Sequence, residues 1–203
     1  MSVGGWPVVC GREGLDVFNA LSGKTDGTTV AIAGRRIDAS DADYVRFSEA
    51  NVSYVEAAVR EALDGLATAA LVSSAANGAD LLAAKWAVER GIPLHLILPF
   101  GVDDFKRTSV LDRAGEWGPL YDRVVQYARE RHSLETLSKS ADDASAFLAA
   151  NHVILEKTLQ SGDHPAALII WDGHSRGPDD ITAAFLSEAR RRGIKIHEVL
   201  TTV

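Results

Sequence analysis

The stretch that decides the fold is WDGHSRGPDDIT, residues Trp171–Thr182. It follows the apolar run Ala166–Ile170, whose short length and β-branched residues predict a buried strand. It precedes Ala183–Arg192, whose pattern predicts a helix. A strand that ends in a glycine-rich turn and opens a helix presents unpaired backbone N–H groups and a positive helix end at the carboxyl edge of a sheet. Because open α/β folds bind ligands at that edge, the stretch predicts a small-molecule site.

The same succession of strand, turn and helix recurs on both sides of this stretch. Besides the strand at 166–170, strands are predicted at 28–33, 69–74, 94–99 and 194–200. Further helices are predicted at about 41–66, with Ser40 or Asp41 as N-cap, after the turn at 75–80 and running to about 90, and at 142–159. Connections of this length suit parallel pairing and right-handed crossovers. We therefore predict an α/β fold with a mostly parallel sheet.

The two remaining parts of the chain are less regular. Residues 1–27 are predicted to be an N-terminal extension with one short helix. In the middle section, 102–108 is predicted to be a helical turn and 115–119 a loop containing Trp117, while 123–127 suits either a strand or a helix. Within that section, Trp117, Tyr121 and Asp122 are candidates for a lid or a base-stacking wall; the alternative is that they are core or interface residues.

Composition limits the classes of function. A chain of 203 residues that is 46% hydrophobic and 24% charged is typical of one soluble globular domain. The single cysteine, Cys10, suits a reducing compartment, and no signal peptide or stretch of about 20 apolar residues is visible. We therefore expect a cytoplasmic protein with no membrane partner. The formal net charge of −7 disfavours binding to nucleic acid, but it leaves room for one small anion held by local arginines.

Two further turns follow predicted strands and carry candidate ligand-binding residues, which are Gly34, Arg35, Arg36, Asn77, Gly78 and Asp80. In the first turn, an arginine offers a planar set of donors for a phosphate or carboxylate; the alternative is an arginine paired with an aspartate at a helix start. In the second turn, the backbone N–H groups of Gly78 and Ala79 are candidates to hold a phosphate, and Asp80 is a candidate to hold ribose hydroxyls. The alternative for Asp80 is a plain interaction with the helix dipole.

The third turn carries the remaining candidates. Its candidate ligand-binding residues are Asp172, Gly173, His174, Gly177 and Thr182, and its candidate catalytic residues are Asp179 and Asp180. The alternative is that Asp179 is only the N-cap of the final helix, with Asp180 and Thr182 in its first turn. The six histidines and one cysteine show no metal-ligand spacing, so we predict no metal and no bound cofactor.

The whole pattern resembles a known superfamily. The segments GRR, SSAANGADLLAAKWA, LILPFGVDDFKRTSV and IIWDGHSRGPDDITAAF, in this order over about residues 28–200, resemble the SLOG superfamily, in particular an uncharacterised bacterial branch. That group is related to the lonely-guy phosphoribohydrolases and to the Rossmann-like domain of DNA-processing protein A. The resemblance implies a single Rossmann-like domain over 28–203, with a doubly wound sheet, helices on both faces and a nucleotide-derived ligand. It places Gly34 and Arg35 in the first ligand loop, Gly78 and Asp80 in the second, and Gly177 and Thr182 in the third.

The resemblance also shows where this chain departs from the hydrolases. Their PGGxGTxxE motif has a catalytic Glu three residues after the Thr, whereas Phe185 stands three residues after Thr182 here. We therefore favour binding or sensing of a nucleotide-like molecule. The alternative is an N-glycosidic hydrolase of a nucleoside monophosphate in which Asp179 or Asp180 supplies the acid, the base or electrostatic stabilisation. A DNA-associated module is the weaker alternative. A sensor must pass on its signal, so we expect a homo-oligomer or an effector partner.

Overall fold

The computed structural model describes residues 27–137, 143–161 and 164–202. The predicted N-terminal extension with its helix therefore lies outside the described residues. No helix in the described part of the chain is long and apolar enough to span a membrane.

The described residues form an α/β fold built on six parallel strands and six α-helices. The strands are β1 (Thr28–Gly34), β2 (Thr68–Ser73), β3 (Leu94–Leu98), β4 (Leu134–Thr136), β5 (Pro165–Trp171) and β6 (Lys195–Leu200). The helices are α1 (Val52–Gly65), α2 (Ala79–Arg90), α3 (Val102–Ser109), α4 (Trp117–Glu130), α5 (Asp143–Gln160) and α6 (Ile181–Arg191), with a short 3-10 helix at Glu49–Asn51.

The strand order is β4-β3-β2-β1-β5-β6, and every neighbouring pair is parallel. The chain leaves β1 toward β2 on one side and leaves β5 toward β6 on the other. The order therefore reverses between β1 and β5, which is the topological switch point of a doubly wound, Rossmann-like sheet. This confirms the predicted fold class.

Two hydrophobic layers cover the two faces of the sheet. Because side chains alternate along a strand, Val30 and Ile32 of β1 pack with α1, α2 and α4 on one face. Ala31 and Ala33 pack with α5 and α6 on the other face. The alternation fixes which helices stand beside the carboxyl end of β1, where the candidate site lies.

The prediction of a helix from about residue 41 was wrong at its start. The segment 35–48 is irregular, and α1 begins only at Val52, with Asn51 rather than Ser40 or Asp41 as its N-cap residue. The carboxylate of Asp38 accepts the backbone N–H groups of Arg46 and Phe47, both at 2.8 Å. These contacts hold the segment as a loop beside β1, because they give its backbone partners that a helix would otherwise supply.

The middle section is more regular than predicted. Trp117 begins α4 instead of lying in a loop, and 123–127 continues that helix. Trp117 and Tyr121 are buried in the core, while Asp122 pairs with Lys106, so these residues have the alternative, structural role. The edge strand β4 was not predicted, because three residues carry too little pattern to be recognised.

Candidate ligand-binding site

A cavity of about 440 Å³ lies past the carboxyl ends of β1 and β2. The loop after β1 lines it from Gly34 to Arg46, and residues of α5 form an apolar wall opposite. All three predicted turns contribute lining: Gly34 with its two arginines, then Ala76 with Asp80, then Arg176 with Thr182. The site therefore lies at the edge of the sheet that binds ligands in this class of fold.

Arg35 is the centre of a buried ion-pair cluster. Its Nε donates to Asp172 at 2.8 Å, its Nη1 donates to Asp180 at 2.7 Å, and its Nη2 donates to the carbonyl of His174. The residue is only 4% exposed, and the two carboxylates hold the pKa of its guanidinium above the usual value although burial alone would lower it. These contacts differ from the predicted phosphate clamp, because two carboxylates already bind the guanidinium. They match the alternative of an arginine paired at a helix start.

Asp180 is the N-cap of α6. Its carboxylate accepts from the backbone N–H groups of Thr182 at 3.0 Å and Ala183 at 3.2 Å, and also from that of Arg176 at 2.8 Å. Burial raises the pKa of Asp180, but the bond from Arg35 and these N–H groups outweigh it and lower the pKa to about 2. A carboxylate that is ionised at neutral pH has no proton to donate, and this one has both oxygens occupied. The contacts thus disfavour Asp180 as a catalytic acid or base.

Asp179 is the other predicted catalytic residue. The residue is exposed and is not among the residues that line the cavity. It is not the N-cap of α6 either, since that position belongs to Asp180. The two predicted catalytic carboxylates are therefore a cap and a surface residue.

The rest of the third turn is held together by the same cluster. Asp172 is buried and accepts from Arg35 and Arg46; burial raises its pKa, but the two arginines outweigh that effect and the net pKa is lowered. His174 is exposed and contributes its carbonyl to Arg35, while Gly173 and Gly177 take positive φ values of 80° and 109°. These four residues shape the turn but do not line the cavity.

Thr182 does line the cavity. Its hydroxyl donates to the carbonyl of Gly34 at 3.2 Å, which ties the start of α6 to the end of β1. Gly34 itself is required by close packing: a Cβ there would lie 2.4 Å from the carbonyl oxygen of Ile170 and 2.4 Å from the Cβ of Ala79. The absence of a side chain at Gly34 therefore allows β1, β5 and α2 to pack closely at this end of the cavity.

Asn77 and Gly78 join loops instead of facing the cavity. The side chain of Asn77 accepts from the N–H of Ile37 at 3.0 Å and donates to the carbonyls of Ser109 and Val110 at 3.1 and 3.3 Å. Gly78 has a φ of 83°, and a Cβ there would lie 2.8 Å from the carbonyl oxygen of Arg35. The N–H of Ala79, predicted with Gly78 to hold a phosphate, instead donates to that carbonyl at 3.1 Å.

Asp80 is the predicted residue with the most unusual environment. It is buried in the first turn of α2, lines the cavity, and accepts one backbone N–H, from Ala76 at 3.3 Å. Burial raises its pKa to about 7, although that N–H and the charge of Arg36 act in the opposite direction. A buried carboxyl with a pKa near neutrality in a cavity is typical of a functional group.

Several lining residues were not predicted. They are Asp38, Asp43, Tyr44 and Arg46 of the first loop, Ser74 after β2, Arg113 before α4, and Phe147, Ala150, Asn151 and Ile154 of α5. The residues of the first loop were missed because the predicted helix began at about 41, within that loop. The contribution of α5 had no signal, because it depends on the crossover from β4 back to β5. The histidine, cysteine, aspartate and glutamate residues in the described ranges form no group of three or more that could hold a metal ion.

Comparison with solved structures shows a distant structural likeness. No family profile matches the sequence, and no curated protein sequence matches it. The X-ray structure of DNA processing protein A from Streptococcus pneumoniae is similar, with a TM-score of 0.41 and 15% sequence identity. The match covers 84% of this chain and 58% of that chain, so this chain spans little more than half the length of its structural relative.

Proposed function

We propose that the cavity binds a small anionic molecule of the nucleotide class, and that the protein acts as a binding or sensing module. The proposal depends on the cavity at the carboxyl edge of the sheet, which combines an apolar wall from α5 with several arginines. Its volume of about 440 Å³ is within the range of small-molecule sites in proteins. The resemblance to SLOG domains indicates the same class of ligand.

The two sides of the cavity suit the two ends of a nucleotide. Ala150 and Ile154 of α5 are buried and offer an apolar surface for a base, and Tyr44 at the mouth has an exposed ring that can stack on one. The guanidinium of Arg46 stands 5.0 Å from the centre of that ring, which limits its orientation. Arg36, Arg113 and Arg176 also line the cavity and supply positive charge for phosphate.

The proposal is tested by thermal unfolding of the protein with a panel of nucleoside monophosphates and their nucleosides. A ligand at about 100 times its Kd adds about 2.7 kcal/mol, which in a chain of this size raises the melting temperature by about 5–10 °C. Ala150→Phe fills the apolar wall and should abolish the shift. The control is Ala149→Phe, since Ala149 is exposed on the same helix and does not line the cavity. The absence of a shift with every nucleotide, or an equal shift in both variants, would reject the proposal.

The hydrolase remains a second candidate because of Asp80. Cleavage of an N-glycosidic bond needs a proton donor for the departing base while water attacks the ribose carbon. Asp80 lines the cavity, and with a pKa of about 7 it is partly protonated at neutral pH. In this scheme Asp80, and neither Asp179 nor Asp180, is the general acid.

Chromatography of reactions with the same nucleotide panel separates the two candidates. Release of free base that is lost in Asp80→Asn, with nucleotide binding retained, supports the hydrolase. A thermal shift without any release of base supports the sensor. A sensor also needs a second copy or a partner protein, so sedimentation with and without nucleotide should show a change in association.

A further inference from the structure

Two arginines from different loops share one carboxylate at the cavity mouth. Arg36 follows β1, whereas Asp112 and Arg113 lie between α3 and α4. The Nη2 of Arg36 donates to one oxygen of Asp112, and the Nη1 of Arg113 donates to the other oxygen at 2.7 Å and to the Asp112 carbonyl at 2.9 Å. The single carboxylate thus holds two guanidinium groups side by side.

The charges in this cluster do not cancel. Arg36 and Arg113 line the cavity and share the one carboxylate of Asp112, which does not line it. The carboxyl group of Asp80, which also lines the cavity, interacts with the charge of Arg36 without an ion pair to it. In addition, the buried Nε–H of Arg36 has no acceptor among the described residues. Since a buried donor without a partner is costly, this guanidinium retains capacity for another acceptor.

The other arginines around the cavity are less suitable for an anion. Arg35 is committed to Asp172 and Asp180, and Arg46 donates to Asp172. The guanidinium of Arg176 lies 3.7 Å from the Asp180 carboxylate. These three arginines share the two buried carboxylates of Asp172 and Asp180. In the described part of the chain, Arg36 and Arg113 lie outside that network and share the partly exposed carboxylate of Asp112.

We propose that Arg36 and Arg113 form a subsite for a phosphate or diphosphate group, with Asp112 as the residue that positions them. Guanidinium groups fit such oxyanions through pairs of N–H donors, and two of them provide more donors than Asp112 can accept. Asn77 supports the geometry, because its amide donates to the carbonyls of Ser109 and Val110 just before Asp112. This inference rests on the proposed function, since it assigns the anionic end of the ligand to one part of the cavity.

Calorimetric titration with inorganic pyrophosphate tests the subsite without any base. The protein should bind pyrophosphate, and Arg113→Gln should weaken that binding at least about tenfold, because a hydrogen bond between charged groups is lost. Arg107→Gln is the matched control: Arg107 is 71% exposed, pairs with Asp104 and does not line the cavity. No binding of pyrophosphate to the unmodified protein, or equal binding by both variants, would overturn the subsite.

Measuring AMP and pyrophosphate binding in the same variants distinguishes failure of the subsite from failure of the nucleotide site. One outcome would reject the subsite but keep the cavity as a nucleotide site. In that outcome Ala150→Phe no longer binds AMP, while Arg113→Gln binds both AMP and pyrophosphate as well as the unmodified protein does. Pyrophosphate binding that depends on Arg113, with no AMP or other nucleotide bound, would support the subsite and reject the nucleotide. Since Arg113 is partly exposed, its replacement should leave the fold intact, and a melting curve checks this.

Discussion

Replacement of Asp180 measures how much the buried ion-pair cluster contributes to stability. Asp180→Asn keeps an oxygen for the first N–H groups of α6 but removes the charge that faces Arg35, 2.7 Å away. The pKa of Asp180 falls from its ordinary 3.8 to about 2 in the folded protein, and each unit corresponds to about 1.4 kcal/mol. Asp180→Asn should therefore lower the free energy of unfolding by about 2 kcal/mol at pH 6. Asp180→Ala should cost about 1 kcal/mol more, because the helix cap is lost as well.

Urea unfolding followed by circular dichroism provides the measurement, with Asp179→Asn as the exposed control that should stay within about 0.5 kcal/mol. Because the folded pKa of Asp180 lies below the unfolded one, its contribution is complete above about pH 4 and is lost as the pH falls toward 2. The gap between the parent and Asp180→Asn should shrink over that range. A gap below 0.5 kcal/mol at pH 6, or one that is undiminished near pH 2, would refute the argument.

Three further replacements test other parts of the account by equilibrium unfolding. Asn77→Ala should cost about 2–3 kcal/mol, because it removes the side-chain partner of the Ile37 N–H and of the Val110 carbonyl. Gly34→Ala should lower the free energy of unfolding by at least about 2 kcal/mol, since the new Cβ would lie 2.4 Å from the Ile170 carbonyl oxygen. The control is Gly65→Ala in α1, where a Cβ meets open space and the change should be neutral or stabilising. The pKa of Asp80 is raised in the folded protein, so its ionisation opposes folding increasingly as the pH rises from about 4 to about 7. Asp80→Asn removes this effect and should therefore raise the free energy of unfolding more at pH 8 than at pH 4, by at most about 4 kcal/mol. A pH-independent effect of that replacement would show that Asp80 is not buried as described.

The fold was predictable because its signals are local. Short β-branched runs, turns rich in glycine and helices with a regular apolar period mark five of the six strands and their connections. The start of α1 was not predictable in this way, since the Asp38 carboxylate replaces the expected cap by bonding to residues 46 and 47. The N-cap residue of α6 is Asp180, one position after the predicted alternative, Asp179. The two adjacent carboxylates are equivalent in the local pattern, and the tertiary contact with Arg35 selects Asp180.

The site was predictable in place but less so in detail. Parallel strands bring their carboxyl ends to one edge, so the turns after β1, β2 and β5 meet there whatever their sequences. Which side chains face the cavity depends on how charges pair across long sequence separations. Arg35 and Asp172 pair with each other although they are 137 positions apart in the sequence. Arg113 and α5 reach the cavity through connections that no local pattern reveals.

A crystal structure of the protein with the nucleotide that gives the largest thermal shift would show directly whether the cavity is the nucleotide site. We expect density for that nucleotide in the cavity between the first loop and α5, with its phosphate beside Arg36 and Arg113. A nucleotide bound at any other surface, with this cavity holding only solvent, would contradict it.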